Sequence, residues 1–185
     1  LGDLYYHGLG VEQNYTKAKK YFEESSYLMN SNAFYNLGYL FEKGLGVKQN
    51  YLKAKSYYIN SAQINNQRAL YHLGYLYSTG TLFDFNLNQA IFFFEKCIEN
   101  NQKLIKIPIS KHNSIIYKNI WDSFYIYLAE NCLGLIYLLN YNDIEKAICY
   151  IKNSAFAEYP FGQNNFGLIN LFFLNKIEYA TYMFE

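Results

Sequence analysis

The sequence predicts an all-α fold of helix pairs stacked one against the next, and three observations carry that prediction. First, Leu1-Gly2, Leu37-Gly38 and Leu73-Gly74 stand 36 residues apart, and a fixed period of this size marks stacked supersecondary units. Second, small residues recur in phase, with Ala18, Ala54 and Ala90 each sixteen residues after the repeated glycine. Third, residues 31–66 place Ala33, Tyr35, Leu37, Leu40 and Phe41 near helical spacing, between recognisable start and stop signals.

The elements follow in order. The first unit, near residues 1–30, opens at Leu1-Gly2 with its first helical turns missing, then carries Tyr5, Gly8, Asn14, Ala18 and Tyr21-Phe22. The second, 31–66, predicts a helix A over Ser31 to Lys43. Gly44 stands where a helix ends on a left-handed residue, and Gly46 helps the chain turn. Asn50 reads as the N-cap of a helix B over Tyr51 to Gln63; Asn14, Asn86 and Asp143 hold the same position elsewhere. The third unit, 67–101, repeats the pattern with Gly74, Tyr77, Gly80, Ala90 and Phe93-Phe94.

The period then breaks. Cys97 to Ala129 spans 32 residues where Ser61 to Ala69 spans 8, an insertion at about 102–125. Its expected form is an extended helix B, a loop around Pro108 and a lengthened helix leading into Leu133-Gly134. The fourth and fifth units, 126–156 and 157–185, keep Gly134 and Gly167, with Ala147 and Ala180 thirteen residues on, so their turns are shorter.

Glycine inside a helix costs about 1 kcal/mol relative to alanine. Its recurrence at Gly38 and its equivalents therefore needs an offsetting gain, and close approach of helix B at the in-phase alanine supplies one. A side chain inserted there overpacks the contact by roughly 1–3 kcal/mol, while each neighbouring buried Leu or aromatic contributes roughly 1.5–3 kcal/mol. Packing wins.

The string Leu37-Gly38-x-x-Phe41-x-x-Gly44-x-Gly46-Val47, followed by Lys53-Ala54-x-x-Tyr57-Tyr58, resembles the Sel-one-like repeat, a relative of the tetratricopeptide repeat. Leu1 to Phe22 carries the same string; Leu73 to Phe94 carries it with Leu82 replacing the second glycine. The resemblance implies an α-α superhelix, a right-handed solenoid of antiparallel helix pairs, serving as a non-catalytic protein–protein adaptor. It brings no catalytic residues with it. Members of the family also act in endoplasmic-reticulum-associated degradation and beside kinase domains. A regulatory segment of a larger enzyme such as a protein kinase, or a degradation scaffold, is therefore the alternative reading. Neither end of the chain carries a polar capping face, so a segment of a longer protein, or a truncated gene product, is expected.

Composition narrows the function further. The chain is 51% hydrophobic and 17% charged, which excludes intrinsic disorder. A net charge of +1 lacks the basic excess that phosphate neutralisation demands, so nucleic acid is not the expected partner. No signal peptide opens the chain. The most apolar stretch, Ile120 to Leu139, holds Asp122 and Glu130, which argues against a membrane span and favours a cytoplasmic location. Cys97, Cys132 and Cys149 read as reduced thiols, with a Cys132–Cys149 bridge across one helix pair as the alternative. His7, His72 and His112 are scattered, no metal motif or nucleophile–base arrangement is present, and no cofactor is expected.

By the resemblance, helix A lines the concave surface, and the partner expected there is a protein or peptide. Its outward positions are Tyr6, then Asn32, Tyr35, Tyr39 and Glu42, then Arg68, Tyr71, Tyr75 and Ser78. The pairs Tyr35/Tyr39 and Tyr71/Tyr75 share a helix face at i,i+4. Tyrosine offers broad apolar area with a hydrogen-bonding tip and suits recognition, though the same rings would also serve to pack units together. The insertion supplies a second candidate surface through Lys111 and the sole tryptophan, Trp121.

Overall fold

The structure is a computed structural model that describes residues 1–104, 113–156 and 165, with side chains outside 100–123. The described residues form eight helices and no strand. These are α1 (Gly2–His7), α2 (Tyr15–Tyr27), α3 (Ser31–Lys43), α4 (Tyr51–Gln63), α5 (Gln67–Thr79), α6 (Leu87–Leu104), α7 (Asn113–Asn140) and α8 (Ile144–Phe156). The chain divides into two compact units, Leu1–Leu73 and Gly74–Glu185.

In the first unit α1 packs on α2, α2 on α3 and α3 on α4. Its core joins Ala18, Phe22, Ala33, Leu37 and Leu40, flanked by Tyr5, Tyr6, Tyr57 and Val47. The helix starts and stops follow from single residues. Asn14 and Asn50 accept hydrogen bonds from the Lys17 and Lys53 backbone N–H groups at 2.9 Å, satisfying donors that the first helical turn leaves orphaned. Gly44, at φ 69°, ends α3 in the left-handed conformation that glycine adopts without a Cβ clash. Helices α3 and α4 therefore have the bounds that the punctuation predicts.

Asn86 and Asp143 cap α6 and α8 in the same way. The structure adds a second set of caps that sequence reading missed. Asn30 accepts from Ala33 N–H and Asn66 from Ala69 N–H, so helix A is capped as regularly as helix B.

The close approach at the repeated glycine is present, but its partner is chiefly a ring rather than the alanine. A Cβ built on Gly38 would lie 2.7 Å from the Tyr58 ring and 3.2 Å from the Ala54 carbonyl oxygen. Phe22 covers Gly2 in the same fashion. In the second unit Phe94 covers Gly74 and Ile151 covers Gly134. The residue at this position, aromatic in the first three repeats and Ile151 in the fourth, thus covers the glycine, while the in-phase alanine lets the backbone approach.

The first residue of the pair has another role. Tyr21, Tyr57, Phe93 and Tyr150 stack within 15° of parallel on Tyr5, Phe41, Tyr77 and Tyr137. In three of these stacks a lysine covers the ring: Lys17 over Tyr5, Lys53 over Phe41 and Lys146 over Tyr137.

In the second unit α6 packs on α7 and α7 on α8. Helices α6 and α7 run 18 and 28 residues, against 13 for α4 and α5, so both helices flanking the insertion are long. The expected loop around Pro108 lies outside the described residues, as do Gly167 and Ala180 of the fifth unit. All three cysteines are thiols, so Cys132 and Cys149 form no bridge.

Candidate functional site

Within the first unit, successive A helices bring several of the expected partner-binding residues together. Tyr6 on α1 meets Tyr39 on α3 edge-on, with ring centroids 6.4 Å apart. Burial raises the Tyr6 hydroxyl above its ordinary pKa, and neighbouring Tyr39 and Tyr15 add to the effect. Lys43 places its ammonium 5.6 Å from the Tyr39 ring centre. From α5, exposed Arg68 lays its guanidinium 4.4 Å above the Tyr35 ring. The accessible layer is therefore tyrosine edges and two cations, a combination that holds peptides by ring stacking and charge.

Beneath that layer lies a polar network. Glu42 is 4% exposed, yet its Oε2 accepts a 2.7 Å hydrogen bond from the Tyr58 hydroxyl and stands 3.0 Å from His72 Nε2. Its Oε1 pairs with Lys43 Nζ at 2.6 Å. Burial alone would push this carboxyl up. The hydrogen bonds from His72, Lys43 and Tyr58 outweigh it and hold the pKa near 2. Burial, then the bond to Glu42, pushes the Tyr58 hydroxyl far above its ordinary range, so it stays protonated and donates. His72 also meets Tyr58 and Tyr35 edge-on, at 4.8 and 5.9 Å.

Two of the expected outward positions are therefore corrected. Tyr35, 5% exposed, and Glu42 face the packed interior, because α5 covers them with Arg68 and His72. Asn32 is exposed but engaged, accepting from Asn66 Nδ2 at 2.7 Å. Tyr39 and Tyr71 are half-buried. In the second unit Tyr75 is 43% exposed, and the Ser78 hydroxyl donates to the Tyr75 carbonyl oxygen. Lys111 lies outside the described residues, and of Trp121 only its place in α7 is described.

Sequence reading missed Tyr58 and counted His72 among scattered histidines; His72 joins two successive repeats within the first unit. A signal did exist. The repeat places Phe22 and Phe94 at the position of Tyr58 and Asn36 at that of His72. The hydroxyl thus enters in the repeat that has Glu42, and the imidazole in the repeat that follows it.

The arrangement offers binding rather than bond-making. Glu42 is occupied by its three donors, and no nucleophile stands beside a base in this network. Among the described residues no group of His, Cys, Asp and Glu could hold a metal ion, and no helix is long and apolar enough to cross a membrane.

Comparison with known proteins gives the following. The Sel1 repeat matches residues 1–28, 31–66 and 67–101. The chain is similar to a Sel1 repeat protein from Oxalobacter formigenes, at 23% identity and a TM-score of 0.74, covering 98% of this chain and 68% of that one. It is also similar to c5321, a protective antigen of uropathogenic Escherichia coli displaying an SLR fold. There the identity is 22% and the TM-score 0.54, over 99% of this chain and 43% of that one. No curated protein matches the chain.

Proposed function

The chain belongs to the Sel1 repeat family, whose α-α superhelix generally serves as a non-catalytic scaffold for protein interactions, and from that membership we propose that it binds a protein or peptide through its A-helix face. The observation that supports this reading is the contiguous layer of Tyr6, Tyr39, Lys43 and Arg68. Three A helices contribute to it, and the Glu42 network fixes the floor underneath.

A flat, rigid array of this kind recognises by area. Tyrosine loses little side-chain entropy on binding, so rings already held by neighbours convert contact into affinity efficiently. In the second unit, Tyr75 is a ring of the same kind, 43% exposed.

The test replaces Tyr6, Tyr39 and Tyr75 with alanine, leaving the buried Tyr35 and Tyr58 in place. Partner recovery by affinity capture and mass spectrometry is compared with the parent chain, alongside circular dichroism to confirm the helices. Loss of the recovered partners from a folded variant is the expected result. Undiminished recovery would remove the A-helix face from consideration.

A further inference from the structure

On the B-helix side of the first unit lies a cleft of about 460 Å³, lined by Lys19, Phe41, Val47, Lys48, Asn50 and Lys53. Its cations come from three elements: Lys19 from α2, Lys48 from the α3–α4 loop and Lys53 from the first turn of α4. Lys19 is neutralised by Glu23 at 2.9 Å. Among the described residues neither Lys48 nor Lys53 has a carboxylate partner, and both are exposed. In a chain of net charge +1, this is a local concentration of positive charge.

The repeat separates what the scaffold requires from what this cleft adds. The period aligns Lys48 with Glu12 and Asp84, and Lys53 with Lys17 and Gln89. Helix pairs therefore stack without a cation at the loop position, and the residue standing there in the other two repeats is acidic. Val47, half-buried, gives the cleft its apolar wall, while Phe41 is 7% exposed, stacked on Tyr57 and covered by Lys53; Tyr51 and Leu52, beside Lys53 in sequence, are 43% and 81% exposed.

We propose that this cleft is a second docking surface, taking an acidic peptide whose Glu or Asp side chains pair with Lys48 and Lys53 while an apolar residue rests on Val47. The charge is complementary, and opposite charge across a docking surface sets orientation and speeds encounter. The surface is separate from the tyrosine layer of the A helices, so it deepens the adaptor reading from one docking face to two.

The full chain is titrated into a short fluorescein-labelled peptide, rich in Glu around one central Phe, and into its twin with Gln for every Glu. Fluorescence polarisation is read at two salt concentrations. The Glu peptide should bind, with the Gln twin weaker by about tenfold or more and affinity falling as salt rises. Lys48→Glu, which places at this position the residue type of Glu12, should lose a similar factor with an unchanged melting curve. Lys48→Gln serves if the reversed charge disturbs folding. Tyr39→Ala should bind the Glu peptide as the parent does, which separates this proposal from the A-helix reading. Failure of the Glu peptide to bind, equal binding of both peptides, or a loss with Tyr39→Ala and none at Lys48 would each overturn the proposal.

Discussion

An alanine is ordinarily the better helix former by about 1 kcal/mol, yet at Gly38 its methyl would lie 2.7 Å from the Tyr58 ring. That ring is held from behind by its bond to Glu42 and cannot swing clear. We expect Gly38→Ala to destabilise the chain by roughly 1–3 kcal/mol in chemical denaturation. A stabilised or unchanged variant would mean that the ring yields. At Gly10 no atom lies within 4 Å of an added Cβ, so alanine there meets only the strain of φ 73°, roughly 1–2 kcal/mol. Which glycines pack and which merely turn was half legible. The period marks Gly38 as necessary, but the sequence does not say that a ring lies on it, because that ring comes from a residue twenty positions away in a separate helix.

Among the elements, the asparagine caps divide by burial. Asn50 is exposed and its side chain accepts one bond, from the Lys53 N–H, so Asn50→Ala should cost about 1 kcal/mol. Asn66 is 9% exposed, accepts from Ala69 N–H, and donates to Ser31 Oγ and Asn32 Oδ1 across the repeat. Its loss removes two part-buried bonds across the repeat and also strands the Ala69 N–H, a buried group whose desolvation costs about 1–3 kcal/mol. Asn66→Ala should therefore lower the melting temperature clearly more than Asn50→Ala, and equal effects would refute the distinction. The bounds of α3 and α4 were readable because Gly44 and Asn50 act locally, through conformation and a bond three residues long. The caps Asn30 and Asn66 were present in the sequence at the same period. They escaped notice because the Tyr27–Met29 stretch before α3 has no glycine to mark the turn.

For the whole molecule, two buried carboxyls give stability opposite pH dependences. Glu42 is held near 2 in the fold against an ordinary 4.5. Its contribution is thus complete above pH 4.5 and is lost as pH falls toward 2. Glu130 is 7% exposed and leaves Oε2 without a hydrogen-bond partner; burial raises it to about 7, against an opposing bond from Asn153. Its contribution is complete below pH 4.5 and is lost as pH rises toward 7. Melting temperatures across pH should show Glu130→Gln gaining on the parent between 4.5 and 7 and holding that gain above. Glu42→Gln should lose most at neutral pH, with the gap narrowing toward pH 2. Parallel pH profiles for parent and variants would contradict both assignments. The fold class and repeat were legible from the period alone, whereas this network was not. Its members lie 16 and 30 residues apart, and their meeting depends on how one pair lies against the next.

The Glu42 network also bears on how a chain of near-copies assembles correctly. Interchangeable helix pairs invite mispairing, since an A helix could settle against the wrong B helix and still bury its leucines. A carboxylate that finds its hydroxyl on α4 and its imidazole on α5 would keep only Lys43, its neighbour on α3, in such a swapped arrangement, and a buried ion short of partners is penalised. A repeat that departs in this way from hydrophobic uniformity works as a key that favours its own neighbour on each side.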